Sequence, residues 1–462
     1  MKGGAGFAYQ AVYRYVLELI ASHRHEQRLP SLRQLAQRLG VSVSTTKYAY
    51  ALLEDEGRIL SRPRLGYFSR PAPLPATGAA PASLLDRVYA SARQPGMLAL
   101  SSDSPAMLLS LENPLLMTER ELTRQYPRPP APLYQPFGEA QLRAVVAAQY
   151  TRSPDQAWQT EQVYVGADLH SVLQIALAAL AAKGRVALVE SPCSWAVLRQ
   201  LHSAGVEVVE LPLGDDGRVD LMQVEHLLQR RSVALAVFSS TFASPHASLM
   251  PAADKQQLCA WLSARGIWLL ENDSYGQLYF GPQPARFRDF ADPERLMVFS
   301  ALDKTIGAEA PFGYLLSRQL APALQRECLA RAFRLSPMRQ KAIARLLGSR
   351  RMGAHLAALR GQLQGRAAHL AQMLSQHTGE RLHWLAPAGG ATLWARARRP
   401  VDMARVFERL LAQRIVIAPG AVFSQAGHWR HHLRLSFTLD WQQDIATALQ
   451  HLAHALDQEA LN

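Results

Sequence analysis

Lys304 is the residue in this chain best placed for covalent chemistry. It lies in the stretch LMVFSALDKTIGAEAPFGYLLS, residues 296–317, where an apolar run ends at Ser300, a short polar loop follows, and a second apolar run passes through Phe312, Gly313 and Tyr314. A lysine on a loop between two buried strands stands at the edge of a sheet and faces a cleft, where its amine can form a Schiff base with an aldehyde cofactor. Most loop lysines only face solvent, so the neighbours of Lys304 decide. A second chemistry is written near the start of the chain. Ser42, Ser44, Thr45 and Lys47 open a helical pattern, with Arg33 before it and Arg62 and Arg64 after it. Hydroxyls at a helix start, together with cations, suit the phosphates and base edges of DNA. Other reactive residues carry less. Cys193, Cys259 and Cys328 are odd in number and far apart, which fits reduced buried thiols and neither a disulfide frame nor a zinc site. His428, His431 and His432 share no ligand spacing with an acid or a cysteine and read as surface histidines.

These residues must be positioned by more than one core, because 462 residues exceed what a single domain holds. A hydrophobic content of 48% with 19% charged residues describes a globular, soluble protein. No apolar run reaches membrane-spanning length and no leader precedes a cleavage site, so a cytoplasmic protein is expected. The net charge is +13, and residues 1–70 hold eleven Lys/Arg against five Asp/Glu. That leaves +6 in under a sixth of the chain, which points to a polyanionic partner for this segment.

Within 1–70, Val12, Val16, Leu19 and Ile20 fall on one face of a helix running from Tyr9 to His23. Ser31 is suited to cap a helix from Leu32 to Leu39, and Gly40 to stop it. Ser42 then caps a second helix through Leu53, giving a helix-turn-helix. Ile59-Leu60, the basic turn of Arg62-Pro63-Arg64, and Gly66-Tyr67-Phe68 read as two short strands forming a wing. The start of the second helix is the end that enters a major groove, while Arg33, Arg62 and Arg64 are placed for backbone or minor-groove contacts. LPSLRQLAQRLGVSVSTTKYAYALLEDEGRILSRPRLGYF resembles the winged helix of the GntR regulators over some forty residues, through Leu29-Pro30-Ser31-Leu32-Arg33, Leu35-Ala36, Val41-Ser42, Ala49-Tyr50, Leu53, Gly57 and Arg62-Pro63. The resemblance implies a double-stranded DNA operator as partner. One position departs: the family usually has arginine after Val41-Ser42, and Val43 can touch only a thymine methyl. Residues 71–83, PAPLPATGAAPAS, carry four prolines and no charge and read as an extended linker.

Residues 84–462 alternate strand and helix patterns from about residue 160, which means an α/β domain with a largely parallel sheet and ligands at the carboxyl ends of its strands. Expected strands are Val163–Val165, Val186–Val189, Val206–Val209, Val233–Phe238, Ile267–Leu270 and the two runs flanking Lys304. Long helices follow to about His377, then a small α+β portion with strands near Thr392–Ala395, Val416–Ile417 and Leu433–Phe437. The span resembles the class I/II aminotransferases of fold type I, which use pyridoxal phosphate. Tyr134 with Gly138, Gly166-Ala167, Glu190 with Pro192, Pro245 with Met250, Glu271 with Asp273 and Tyr275, Lys304-Thr305, Gly313-Tyr314, Pro419-Gly420 and Leu433-Arg434-Leu435-Ser436 carry the match. Fused behind a GntR winged helix, the whole chain resembles the MocR subfamily.

The resemblance implies that Lys304 carries the Schiff base, Tyr275 bonds the ring hydroxyl, Tyr134 reaches the phosphate of a neighbouring subunit, and Arg434 clamps a carboxylate with its bidentate fork. It also implies a homodimer. Several positions depart from the family pattern. Asn272 stands where an aspartate holds the pyridinium proton, and Asp273 should point to the other face of its strand. Ser244 replaces an asparagine. Ser194 replaces the stacking aromatic, with Trp195 adjacent and able to shift in. Asp303 and Pro311 replace phosphate-binding serine and arginine, and Asp168 lies near the phosphate cradle. A lost charged hydrogen bond costs ~1.5–3 kcal/mol, and a carboxylate about 4 Å from a phosphate up to ~4 kcal/mol, against the ~8 kcal/mol of a micromolar complex. Lys304 could instead pair with Asp303 or another acid. Three readings follow. The first is a transcriptional regulator whose aminotransferase-like domain dimerises and senses a small effector: pyridoxal phosphate, its amino-acid adduct, another B6 vitamer or amino acid, or a small anion on Arg434. The second is a working aminotransferase with a DNA-binding domain attached. The third is a regulator whose large domain is a dimerisation scaffold only.

Overall fold

In the computed structural model, the described residues are 8–21, 27–55, 58–62, 65–69, 83–101, 103–125, 135–214, 216–242 and 244–460. The chain divides into two compact units, Met1–Ser83 and Leu84–Asn462. The linker expected over 71–83 lies outside the described residues apart from Ser83.

The first unit is a winged helix-turn-helix. Helix Ala8–Ala21 turns Val12 and Val16 inward, and the end expected at His23 lies outside the described residues. Ser31 caps helix Leu32–Leu39 in a reciprocal box with Gln34, whose N–H donates to the serine hydroxyl. Such a cap is worth about 1 kcal/mol. Gly40 ends the helix at φ +64°, a conformation that a side chain resists. Helix Val43–Asp55 packs Ala49, Tyr50 and Leu53 against Val12, Val16, Leu35 and Ile59. The Tyr50 hydroxyl donates to the Pro30 carbonyl at 2.8 Å, and burial, followed by Tyr67 beside it, pushes its phenol up. Truncating Leu53, fully buried here, costs ~2–5 kcal/mol. Strands Ile59–Arg62 and Gly66–Ser69 pair antiparallel as the wing.

The second unit is built on a seven-stranded sheet. Its spatial order is Val163–Gly166, Gly313–Ser317, Leu296–Ala301, Trp268–Asn272, Val233–Ser239, Val186–Ser191, Glu207–Pro212. Gly313–Ser317 runs antiparallel to both neighbours and the other pairings are parallel. Both faces are covered, which is why these strands read as nearly unbroken apolar runs. Gly313 meets the start of helix Leu169–Ala179 so closely that an added Cβ would lie 2.2 Å from the Asp168 carbonyl oxygen.

Helices Ala321–Arg331, Pro337–Leu347 and Arg350–Thr378 lead to the smaller portion. There Leu382–Trp384, Thr392–Ala397, His432–Ser436 and Ala418–Pro419 form a four-stranded sheet. The single strand expected at Val416–Ile417 is divided. Ile415–Val416 pairs parallel with Leu98–Ala99, and Ala418–Pro419 pairs with His432–Ser436, because the chain changes partner at Ile417. That switch ties the early residues 98–101, and with them 103–104, to the C-terminal portion. The Leu100 N–H donates to Val416, the Ser436 N–H to Leu100, and the Ser104 N–H to the Thr438 hydroxyl. Among the described residues no helix is long and apolar enough to cross a membrane.

Candidate functional site

The winged helix carries one candidate surface. Ser42 caps helix Val43–Asp55, its hydroxyl accepting the Thr45 N–H at 3.0 Å and bonding the Ser44 and Thr45 hydroxyls. Thr46 is buried and ties the turn to the Ser42 carbonyl. On the outward face Val43 is 46% exposed and Tyr48 54%, with Ser44 and Lys47 exposed between them. Positions 43, 44, 47 and 48 share one helix face, so this is the face that can enter a groove. Sequence reasoning passes over Tyr48, although its place four residues after Ser44 is the available signal. Arg33 is exposed on the preceding helix. In the wing, the Arg62 guanidinium lies 4.8 Å over the Phe68 ring, while Arg64 lies outside the described residues.

The second candidate lies at the carboxyl ends of the parallel strands. Strand Leu296–Ala301 ends just before the turn carrying Lys304, Trp268–Asn272 ends just before Tyr275, and Val186–Ser191 leads to Trp195. Arg434 comes from strand His432–Ser436. What joins them is Asp103, on the segment tied to the C-terminal portion. The Lys304 ammonium donates to the Asp103 carbonyl at 2.6 Å and stands 3.5 Å from Asp103 Oδ2. Tyr275 donates its hydroxyl to the same Oδ2. Arg434 Nη1 is 3.9 Å from Oδ2, and its Nη2 donates to the Ser101 carbonyl at 2.8 Å. Burial alone would raise the Asp103 pKa, but the charges of Lys304 and Arg434 and the bonds from Tyr275 and Lys304 outweigh it and hold the carboxyl below its ordinary range. Burial, then the charge of Asp103, pushes the Tyr275 phenol well up, so it stays a donor. The acid beside Lys304 is therefore Asp103, 201 positions away, where the sequence suggests Asp303 or another acid. A cavity of about 410 Å³ opens beside them, lined among others by Tyr89, Trp195, Phe423, Asp103, Lys304 and Arg434.

The remaining expected residues separate. Asn272 Oδ1 accepts from the Ser274 N–H and hydroxyl. Asp273 points to the opposite face, as strand alternation requires. There it accepts from Arg288 at 2.8 Å and from Tyr150 at 2.6 Å, and Arg288 also holds Glu271 at 2.9 Å. Trp195 reaches the cavity, edge-on to Tyr89 at 5.4 Å between centroids. Ser244 precedes Pro245 on a turn and does not line the cavity. Tyr134 lies outside the described residues. His428 and His431 are exposed, but His432, expected at the surface, is half-buried with its ring stacked on Trp394 at 5.4 Å, and no metal-ligating cluster occurs among the described residues.

Pyridoxal phosphate, the cofactor implied by the resemblance, needs three things from these residues, and they do not fit it. Its aldehyde and ring hydroxyl need Lys304 and Tyr275, and Asp103 engages both. Its ring nitrogen needs a carboxylate, and Asn272 supplies an amide, while Asp273 is held on the other face by Arg288. Its phosphate needs donors at the start of helix Leu169–Ala179, but Asp168 already places a carboxylate there, accepting the Ser171 N–H at 2.7 Å. Asp303 and Pro311 add no cation at the other phosphate positions.

Residues 118–452 match the model for aminotransferase class I and II, and residues 8–68 match that for bacterial regulatory proteins of the gntR family. The chain is 27% identical to the uncharacterized HTH-type transcriptional regulator YdcR of Escherichia coli, over 97% of this chain and 99% of that one. It is 23% identical to the 2-aminoadipate transaminase of Thermus thermophilus, over 81% of this chain and 94% of the enzyme. The solved structure of the Thermus thermophilus α-aminoadipate aminotransferase LysN, complexed with N-(5'-phosphopyridoxyl)-L-leucine, superposes at a TM-score of 0.73 with 21% identity, covering 82% of this chain and 95% of that one. That likeness establishes the fold and leaves the chemistry to the residues.

Proposed function

The chain belongs to the aminotransferase class I and II family, with a gntR-type winged helix ahead of that domain, and from this MocR-type arrangement we propose a DNA-binding transcriptional regulator whose large domain senses a small effector. The observation that carries the reading is the outward face of helix Val43–Asp55, where Val43, Ser44, Lys47 and Tyr48 stand exposed beside a wing. A face of this kind has no part in amino-group transfer. It does what a recognition helix does: the side chains near its start reach base edges while Arg33 and Arg62 meet the backbone.

The large domain is read as the sensor. Arg434 is the group that would hold an effector's carboxylate. Two chains pair, and a ligand that prefers one packing of the pair changes the spacing of the two winged helices on DNA. Lys304 at the carboxyl edge of the sheet supports the competing reading, a pyridoxal-phosphate-dependent aminotransferase with an attached DNA-binding domain. Asp103, Asn272 and Asp168 weigh against it.

The test is selection of duplexes from a random library by the full chain, followed by footprinting. Enrichment of a site with two half-sites, lost when Lys47 and Arg62 are replaced by alanine, supports the reading. Failure to enrich any sequence, together with amino-group transfer from an amino acid to a 2-oxo acid, would replace it with the enzyme.

A further inference from the structure

We infer that Asp103 makes the cleft a cofactor-free receptor for an α-amino acid with an apolar or aromatic side chain, Asp103 taking the ligand's ammonium and Arg434 its carboxylate.

Two orphaned atoms point to this ligand. Asp103 Oδ2 is engaged with Tyr275, Lys304 and Arg434, yet Oδ1 is buried with no donor among the described residues. Arg434 is 8% exposed and spends Nη2 on Ser101, yet its Nε has no acceptor among the described residues. Buried polar atoms are nearly always paired, so adjoining residues that each hold one closed-off, unpartnered atom are poised to turn toward a ligand that supplies the missing donor and acceptor. Both residues line the same cavity, whose volume of about 410 Å³ lies in the range that holds small ligands, roughly 300–1,000 Å³. The ligand must offer a donor and an acceptor a few atoms apart. An α-amino acid does so with opposite charges in the right order.

The two orphaned atoms select against the simpler ligands. A carboxylate alone would answer Arg434 Nε but leave Asp103 Oδ1 without a donor. An amine alone would answer Oδ1 but leave Nε without an acceptor. The ammonium of Lys304 is turned to the main-chain oxygen of Asp103 and faces its carboxylate, so it is held as an ion-pair partner and is not offered as a nucleophile. The rest of the lining sets the side-chain class: Val88, Tyr89, Trp195, Val422 and Phe423 present apolar and aromatic surface.

The inference rests on the regulator reading only in calling the ligand an effector; the binding does not depend on it. The experiment is calorimetry on the full chain with L-leucine, L-phenylalanine and L-tryptophan, and then with 3-phenylpropionate and 2-phenylethylamine, which lack the ammonium and the carboxylate of phenylalanine. Saturable binding of at least one amino acid is expected, and loss of either charged group should weaken phenylalanine binding about tenfold to a hundredfold. Asp103→Asn should cost a similar factor. The analogue series uses the unaltered protein, so it decides even where that variant fails to fold. The inference is overturned if none of the three amino acids binds, if 3-phenylpropionate binds as tightly as phenylalanine, or if pyridoxal phosphate gives a saturable visible band that Lys304→Ala abolishes. No amino-acid binding by a protein that still selects a DNA site removes this inference and leaves the regulator standing. Amino-acid binding with no DNA site selected does the reverse.

Discussion

Replacing Arg288 by methionine should destabilise the large unit by about 3–5 kcal/mol at pH 8, and by less at pH 5. The guanidinium side chain is 6% exposed and sits between Glu271 and Asp273, which are 0% and 2% exposed, at 2.9 and 2.8 Å. Tyr150 completes the group, its ring 4.6 Å beneath the guanidinium and its hydroxyl on Asp273. At an effective dielectric near 20 each attraction is worth about 6 kcal/mol. Against this stands the several kcal/mol that burying the guanidinium itself costs, which the mutant recovers. The balance leaves two buried carboxylates without a cation. Burial raises the Asp273 pKa, but Arg288, then Arg286, more than reverses this and holds it below the ordinary range. In the wild type that stability is present above the unfolded carboxylate value and is lost only as pH falls through the lowered folded one. In Arg288→Met the burial effect prevails over what Arg286 still supplies. The mutant then gains protons on folding, and its stability falls as pH rises. The gap between the two proteins therefore widens from pH 5 to pH 8. Urea unfolding followed by circular dichroism at both pH values measures it. A loss under about 1 kcal/mol at pH 8, or a gap that is larger at pH 5, would refute the reasoning. Combining Arg288→Met with Glu271→Gln and Asp273→Asn should recover most of the loss, because no charge is then stranded.

Three further outcomes are expected. Glu190 is buried, which raises its pKa from 4.5 to about 7, with Ser239 and then Lys255 offsetting only part. Its favourable contribution is present below about pH 4.5 and lost as pH rises through about 7, so Glu190→Gln should stabilise by roughly 1–3 kcal/mol at pH 8 and not at pH 4, read from urea midpoints. Arg62→Ala should weaken binding to all duplexes alike and reduce the slope of log affinity against log salt by about 1, whereas Lys47→Ala, on the face that reaches base edges, should change sequence preference. Gly313→Ala should cost about 3 kcal/mol, seen as a lower melting temperature, because the new methyl meets the Asp168 backbone and not a side chain that can swing away.

Local chemistry explains what could be foreseen. The caps at Ser31 and Ser42, the stop at Gly40, the apolar strands and the loop bearing Lys304 all depend on residues within a few positions of one another, and they stand where their spacing places them. The opposite orientations of Asn272 and Asp273 follow from the two-residue period of a strand. Asp103 has no such local signal. Its partners lie 172 and 201 positions away, and the segment around it has no helical or strand period of its own. It is brought into place by two residue pairs of parallel strand, Leu98 with Ile415 and Ala99 with Val416. Pairings that short leave almost no pattern in a sequence. The one available sign is an acid isolated between apolar stretches, in LALSSDSPAM.

The carboxylate of Asp168 on the first turn of helix Leu169–Ala179 has a consequence for the chain's dependence on its surroundings. A fold that borrows a phosphate from solution gains stability in proportion to supply, about 2.7 kcal/mol when the ligand stands at a hundredfold excess over its dissociation constant and nothing when it is scarce. Here the anion is encoded. It is present once per chain, at a local concentration that no shortage of vitamin B6 can lower. The melting temperature of the large unit should accordingly be the same in cells starved of the vitamin and in cells replete with it.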